Sequence, residues 1–98
     1  MPNNYNSAPY KNQKDVLGAI EYIFKFMEQK VKIEIFVVDM PNIRFQGIVR
    51  GFDEWMNLVL EQTVEINVKN DTKKSLGRIL LKGESISVMH ILDPYSLR

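Results

Sequence analysis

The chain contains no cysteine, which excludes a disulfide-stapled scaffold and any thiolate zinc site, and fits a reducing compartment. Its one histidine, His90, has no second histidine or cysteine to join, so neither a metal centre nor a Cys–His nucleophile can be built around it. No glycine-rich stretch runs into Gly-Lys-Ser/Thr, so a phosphate cradle for nucleotide hydrolysis is missing. Asp53 and Glu54 are adjacent and diverge in an extended chain, which removes them as a paired acid and base. These absences lead us to expect a protein that is not an enzyme and needs no cofactor. No apolar run approaches the ~20 residues that cross a bilayer, and Met1 to Lys14 lacks the apolar stretch of a signal peptide. An excess of one charge is also lacking: 13 Lys and Arg against 12 Asp and Glu leave +1. A nucleic acid partner would therefore be held at a local site and not by a global basic field.

What is present suffices for one domain. Ninety-eight residues with 45% hydrophobic and 26% charged side chains permit a single compact core. Residues 1–14, rich in Asn and Tyr without a hydrophobic period, are expected to form a flexible tail. The domain is expected over 15–92 and a short second tail over 93–98, where Pro94 stops any ladder. From Val16 the period is helical: Ile20, Ile23, Phe24 and Met27 form one apolar stripe behind an Asp15 N-cap, and the helix ends near Gln29. The period then falls to two. Val31, Ile33, Ile35 and Val37 mark a first strand, broken by Asp39-Met40-Pro41-Asn42. Ile43, Phe45 and Val49 mark a second, with Gly47 and Gly51 on the same face, as a sharply curved strand requires.

A third strand is expected from Met56 to about Ile66, with Met56, Leu58, Leu60 and Val64 facing inward. Asn67 to Lys74 reads as a polar, basic loop, whose Lys69, Lys73 and Lys74 are solvated by default. Leu76–Leu81 and Ile86–Ile91 complete the set, the last with Ile86 and Val88 on one face and Met89 and Ile91 on the other. The resulting class is mainly β: an N-terminal helix followed by a five-stranded, strongly bent, SH3-like open barrel.

The most informative stretch is Gly47-Ile-Val-Arg-Gly-Phe-Asp-Glu-Trp-Met-Asn-Leu-Val-Leu60. Asp53 and Asn57 are poor strand formers inside a β-rich run, and the turn between them lacks the Asn-Gly or Asp-Gly of a purely structural hairpin. It presents a carboxylate, the only indole and a carboxamide. An aromatic face beside a group that both donates and accepts is equipment for holding an unpaired base. The plainer readings make Trp55 a core aromatic and Asn57 a polar turn residue. Trp55's place between the turn and the third strand argues against the first, and Phe52 is the better core candidate.

Gly47, Asp53, Met56, Asn57 and Leu60, followed by Gly77-Arg78-Ile79-Leu80-Leu81-Lys82-Gly83, resemble the two sequence motifs of the Sm family, in the family's order. The resemblance spans about residues 19 to 91. It implies the Sm fold and a seven-membered ring in which the fourth strand of one subunit pairs with the fifth of the next. It further implies RNA binding by Trp55, Asn57, Lys82 and Gly83, with Asp53 and Gly51 supporting the loop. Tryptophan stands where the family usually has tyrosine or phenylalanine, and Lys82 where many relatives have arginine. The lysine offers a point charge without a guanidinium plane. The partners implied are a uridine-rich snRNA, the Sm F and Sm G proteins as ring neighbours, and the remaining Sm proteins, in a nuclear splicing particle assembled in the cytoplasm. The alternatives are an Sm-like ring acting in RNA decay or RNA chaperoning, and an SH3-like protein-interaction module.

Overall fold

The computed structural model describes residues 13–92. A helix, α1 (Gln13–Gln29), precedes five strands: β1 (Lys32–Val37), β2 (Ile43–Phe52), β3 (Leu58–Asn67), β4 (Thr72–Leu81) and β5 (Ile86–Ile91). They form one antiparallel sheet in the order β4-β3-β2-β1-β5. Among the described residues the order leaves β4 and β5 as edges with one unpaired side each, the open barrel expected. The expected tails lie outside the described residues, except that Gln13 and Lys14 already belong to α1. Asp15 consequently sits in the first turn and is not the cap.

The end of α1 shows how local chemistry sets the packing. Lys30 takes the left-handed conformation (φ 53°), Lys30 N–H donates to the Met27 carbonyl and Val31 N–H to the Phe26 carbonyl, each at 3.2 Å. This Schellman closure turns the chain straight into β1 and brings Val31 against Phe26, both buried. The buried face of α1 is centred on Ile23 and Phe26, with Ile20 and Met27 beside them. Phe24, expected in that stripe, is instead 52% exposed. It lies a further ~100° around the helix from Ile23, while Phe26 lies on the other flank and takes the core position.

The core collects Ile33, Ile35 and Val37 from β1, Phe45 and Val49 from β2, Leu58 and Leu60 from β3, and Ile86 from β5. Its shape depends on one line of irregularity across the sheet. Gln62 adopts φ 54°, and the β2–β3 and β3–β4 registers both shift beside it. Opposite lies Gly47, where a Cβ would stand 3.0 Å from the Glu61 carbonyl oxygen and 3.4 Å from the Thr63 Cα. On the far side Gly77 has φ 75° and pairs with Thr63. The curvature expected from Gly47 is real, and it is produced with a bulge in the neighbouring strand.

That bulge corrects the inward set of β3. An extra residue reverses side-chain parity, so after Leu58 and Leu60 the buried position is Thr63, and Val64 is only half-buried. The strand also begins at Leu58, not Met56. A second register shift, between Phe36 and Val37, leaves Ser87 without a place in the β1–β5 ladder. Ile86 therefore joins Met89 and Ile91 against the core, and Val88 alone of the four faces outward. The basic loop is also shorter than expected. β4 starts at Thr72, so Lys73 and Lys74 are strand residues opposite Ile66 and Glu65. Asn67 Oδ1 accepts from the N–H groups of Lys69 and Asn70 and caps the remaining tip.

Thr63 carries a stability prediction. Its side chain is fully buried and Oγ1 has no hydrogen-bond partner among the described residues. An orphaned hydroxyl costs desolvation without return, so Thr63→Val should stabilise the fold by about 1 kcal/mol. Urea denaturation checks this: a midpoint lower than that of the unsubstituted chain would mean that the hydroxyl has a partner.

Candidate nucleic-acid site

Two turns at one end of the sheet form the site: residues 53–57 between β2 and β3, and residues 82–85 between β4 and β5. Asp53 organises the first. Its Oδ1 accepts from Trp55 N–H at 2.9 Å and Asn57 N–H at 3.0 Å, and its Oδ2 accepts from Asn57 Nδ2 at 2.9 Å. The backbone closes the same turn, with Met56 N–H donating to Asp53 O and Asp53 N–H to Asn57 O. Short carboxylates favour such local bonding, and that is why an aspartate interrupts an otherwise β-forming run.

Within this frame Met56 is held at φ 66° with its side chain buried. The buried methionine anchors the turn, and its left-handed backbone turns the flanking residues outward. Trp55 is 70% exposed, with its indole presented to solvent. Met56 was expected as the first inward residue of the third strand and as a position of the first motif, without a role in the turn. The signal for its role is its position between an exposed aromatic and an amide within a five-residue turn.

The second turn is fastened to the first. Gly83 N–H donates to Asn57 Oδ1 at 2.8 Å. A Cβ on Gly83 would lie 2.2 Å from the Trp55 carbonyl oxygen and 2.9 Å from the Met56 carbonyl carbon and oxygen, so the two backbones are in direct contact. Lys82 is exposed beside them. The Asp53 carboxyl is held below its ordinary value of 3.8, first by the Asn57 side-chain hydrogen bond, against an opposing desolvation, then by the backbone N–H groups of Asn57 and Trp55 and the positive charge of Lys82. A depressed carboxyl stabilises the turn fully above its unfolded value and ceases to do so as pH falls through the lowered one. The turn is therefore intact throughout the physiological range.

Of the residues singled out from the sequence, Asp53, Trp55, Asn57, Lys82 and Gly83 come together in these two turns. Gly51 lies in β2 next to a register shift, and a Cβ there would meet nothing within 4 Å. Close packing does not require glycine at that position. His90 is not isolated: its Nε2 lies 2.9 Å from Glu34 Oε1, and Gln46 Nε2 donates to Glu34 Oε2. This row runs across β5, β1 and β2, on the residues opposite the core-facing Ile33 and Ile35. It was missed because its members meet only through sheet register.

The family model of the LSM domain matches residues 24–91. The chain is 42% identical over 80 residues to small nuclear ribonucleoprotein E of Schizosaccharomyces pombe, covering 82% of this chain and 94% of that protein. In fold it is similar to a heptameric archaeal Sm protein (TM-score 0.64, 20% identity, 74% of this chain and 98% of that one). It is likewise similar to a Pyrococcus abyssi Sm protein solved in complex with a uridine heptamer (TM-score 0.62, 18% identity, 74% and 94%). With the two motifs meeting at contacting turns and the family match spanning the end of the helix and every strand, this chain belongs to the LSM-domain family of Sm proteins.

Proposed function

We infer that the chain serves as the E-type core subunit of a spliceosomal small nuclear ribonucleoprotein, one segment of a seven-membered ring around a uridine-rich single strand. The observation that carries this reading is the juxtaposition of the exposed Trp55 indole with the Asn57 amide in a turn that Asp53 and Gly83 hold rigid. Trp55 stacks on a base, Asn57 meets the base edge, and Lys82 covers the other face and attracts the phosphate backbone. The subunit binds and positions RNA without catalysing a reaction.

The ring reading draws on the edges. Leu80 on β4 is 61% exposed and Val88 on β5 is 53% exposed, each on a strand with one unpaired side. Such edges are an aggregation hazard in a monomer and suit strand pairing with neighbours. The Sm F and Sm G proteins are the neighbours we propose, in a nuclear particle whose ring is assembled in the cytoplasm. Expressed alone, the chain should self-associate. Co-expressed with Sm F and Sm G it should give a soluble complex, and the completed ring should retain oligo-uridine over oligo-cytidine in filter binding. Light scattering from a well-behaved monomer at micromolar concentration would sink the ring, and equal retention of the two oligomers would sink the base-reading site.

A further inference from the structure

We infer that the outward face of β5 is built to receive the edge strand of a neighbouring subunit that carries a hydrogen-bond donor opposite His90 and an aliphatic side chain opposite Val88. The inference rests on the ring reading above and adds the chemistry that one of its joints demands. Its starting point is a carboxylate in an unusual place. Glu34 lies on the side of β1 opposite the core-facing Ile33 and Ile35, yet only 10% of its side chain is exposed. Sheet register sets it directly between Gln46 of β2 and His90 of β5. Gln46 Nε2 donates to Glu34 Oε2, and His90 Nε2 lies 2.9 Å from Oε1. Among the described residues no Lys or Arg comes within ion-pair distance of this carboxylate.

The row ends in an acceptor at the sheet edge. A carboxylate only accepts, so the His90 proton sits on Nε2 and the neutral ring keeps Nδ1 as a bare acceptor. Among the described residues nothing donates to Nδ1. The ring is nonetheless held in place, with Phe36 packed against it at 5.7 Å between centroids and the Arg44 guanidinium over Phe36. Binding a carboxylate through one nitrogen also makes the other a stronger acceptor. β5 is the last strand of the sheet, so the next place on this register line can be filled only by another chain. A residue directly opposite on an added strand brings its Cβ within about 5 Å of the His90 Cβ.

The neighbouring positions fix the rest of the pattern. Met89 and Ile91 pack against the core, so Val88 and His90 share the outward face, and both are exposed. Every strand pair of this sheet is antiparallel. An antiparallel newcomer that sets one residue opposite His90 sets the second residue after it opposite Val88. The pattern required is therefore a donor, one residue, then an aliphatic side chain. The other edge of this same sheet carries it: Arg78 and Leu80 on β4 are exposed, while Ile79 and Leu81 pack against the core. A β4 of that kind paired in this register also sets its Ile79 equivalent beside Met89 and continues the core across the joint. Arg78 is bonded to Glu61 within the subunit, but a guanidinium has five N–H groups and keeps donors to spare.

The test uses the assembled ring, in which His90 is the only histidine of this chain. With only this chain labelled at histidine with 15N, and at about pH 8 to keep the imidazole neutral, Nε2 should carry the proton. Nδ1 should resonate upfield of a bare ring nitrogen, as a hydrogen-bonded acceptor does, with and without RNA. Two variants separate donor from acceptor. His90→Gln can donate to Glu34 and still accept, whereas His90→Lys can donate to Glu34 but offers no acceptor. The neighbour along β5 should dissociate roughly tenfold faster from the His90→Lys chain, the scale of one charge-assisted hydrogen bond, and within about twofold of normal from His90→Gln. The neighbour along β4 should be held equally by all three. Equal behaviour of the two variants, or an Nδ1 signal at the bare position in the ring, overturns the proposal. A signal that moves only when RNA is added also overturns it and gives the face to the RNA. If the β5 amides exchange freely in the assembly, no subunit pairs there, and the ring reading falls together with the inference. Protected β5 amides with a bare Nδ1 leave the ring standing and refute the inference alone. Should His90→Lys fail to fold, the Nδ1 signal of the unsubstituted chain decides.

Discussion

Gly83→Ala is expected to abolish the site and to destabilise the fold, although it adds only one methyl group. The new Cβ would lie 2.2 Å from the Trp55 carbonyl oxygen and 2.9 Å from two atoms of the Met56 carbonyl. All three are backbone atoms, so no flexible side chain can swing aside. The two turns must separate, and the Gly83 N–H to Asn57 Oδ1 bond, 2.8 Å long, opens with them. Overpacking of this kind typically costs about 1–3 kcal/mol. The loss of RNA binding should be at least as large as that of Asn57→Ala, because Trp55 and Asn57 both ride on the displaced turn. Gly51→Ala is the matched control. A Cβ there meets nothing within 4 Å and the backbone is not left-handed, so assembly and RNA affinity should stay near those of the unsubstituted chain. Thermal melts and filter binding of rings carrying each variant decide the matter. A Gly83→Ala ring that bound oligo-uridine normally would show that the contact between the turns is dispensable.

The contrast between these two glycines also shows how far the sequence could be read. Gly51 read as a curved-strand glycine supporting the loop and Gly83 as a motif glycine of the RNA site, and neither reading told which of them tolerates a side chain. Only the path of the distant turn carrying Trp55 and Met56 makes Gly83 irreplaceable, and that path is a tertiary fact. The same limit explains the other departures. One left-handed residue, Gln62, reverses the parity of β3 and puts Thr63 where Val64 was expected. The irregularity at Ser87 does the same for β5. A period-two pattern carries no mark of a one-residue insertion until the partner strand is known. The start of β4 was hidden for a different reason. Thr72 to Ser75 are exposed on both faces, so no hydrophobic alternation announces a strand held there by its ladder to β3.

What could be read was what local chemistry dictates. The helix, the order of the strands along the chain and the turn from Asp53 to Asn57 all follow from short-range pattern. The turn is legible because its key bonds span four residues or fewer. The edges β4 and β5, with outward Leu80 and Val88, agree with the resemblance to the Sm family. The hydrogen-bonded row of His90, Glu34 and Gln46 stayed invisible until register aligned three strands.

Trp55→Ala should separate binding from folding more cleanly than any other change at the site. With 70% of its surface exposed, the indole contributes little to the core, so its removal should leave assembly and the thermal midpoint nearly unchanged. Stacking of a base on an aromatic ring is typically worth about 1–3 kcal/mol, so the affinity of the ring for a uridine-rich strand should fall by that order, less where the other pockets compensate. Because Trp55 is the only tryptophan of the chain, it can also report directly. Grown with 5-fluorotryptophan and reassembled with unlabelled partners, the chain should give a single 19F line. A uridine-rich oligomer should shift that line, and a cytidine-rich one should shift it less at equal concentration, if the Asn57 amide is to seat uracil over the ring as proposed. If the line stayed in place at saturating, demonstrably bound RNA, no base would be stacking on Trp55. Its exposure would then serve another contact, and the RNA would run elsewhere on the subunit.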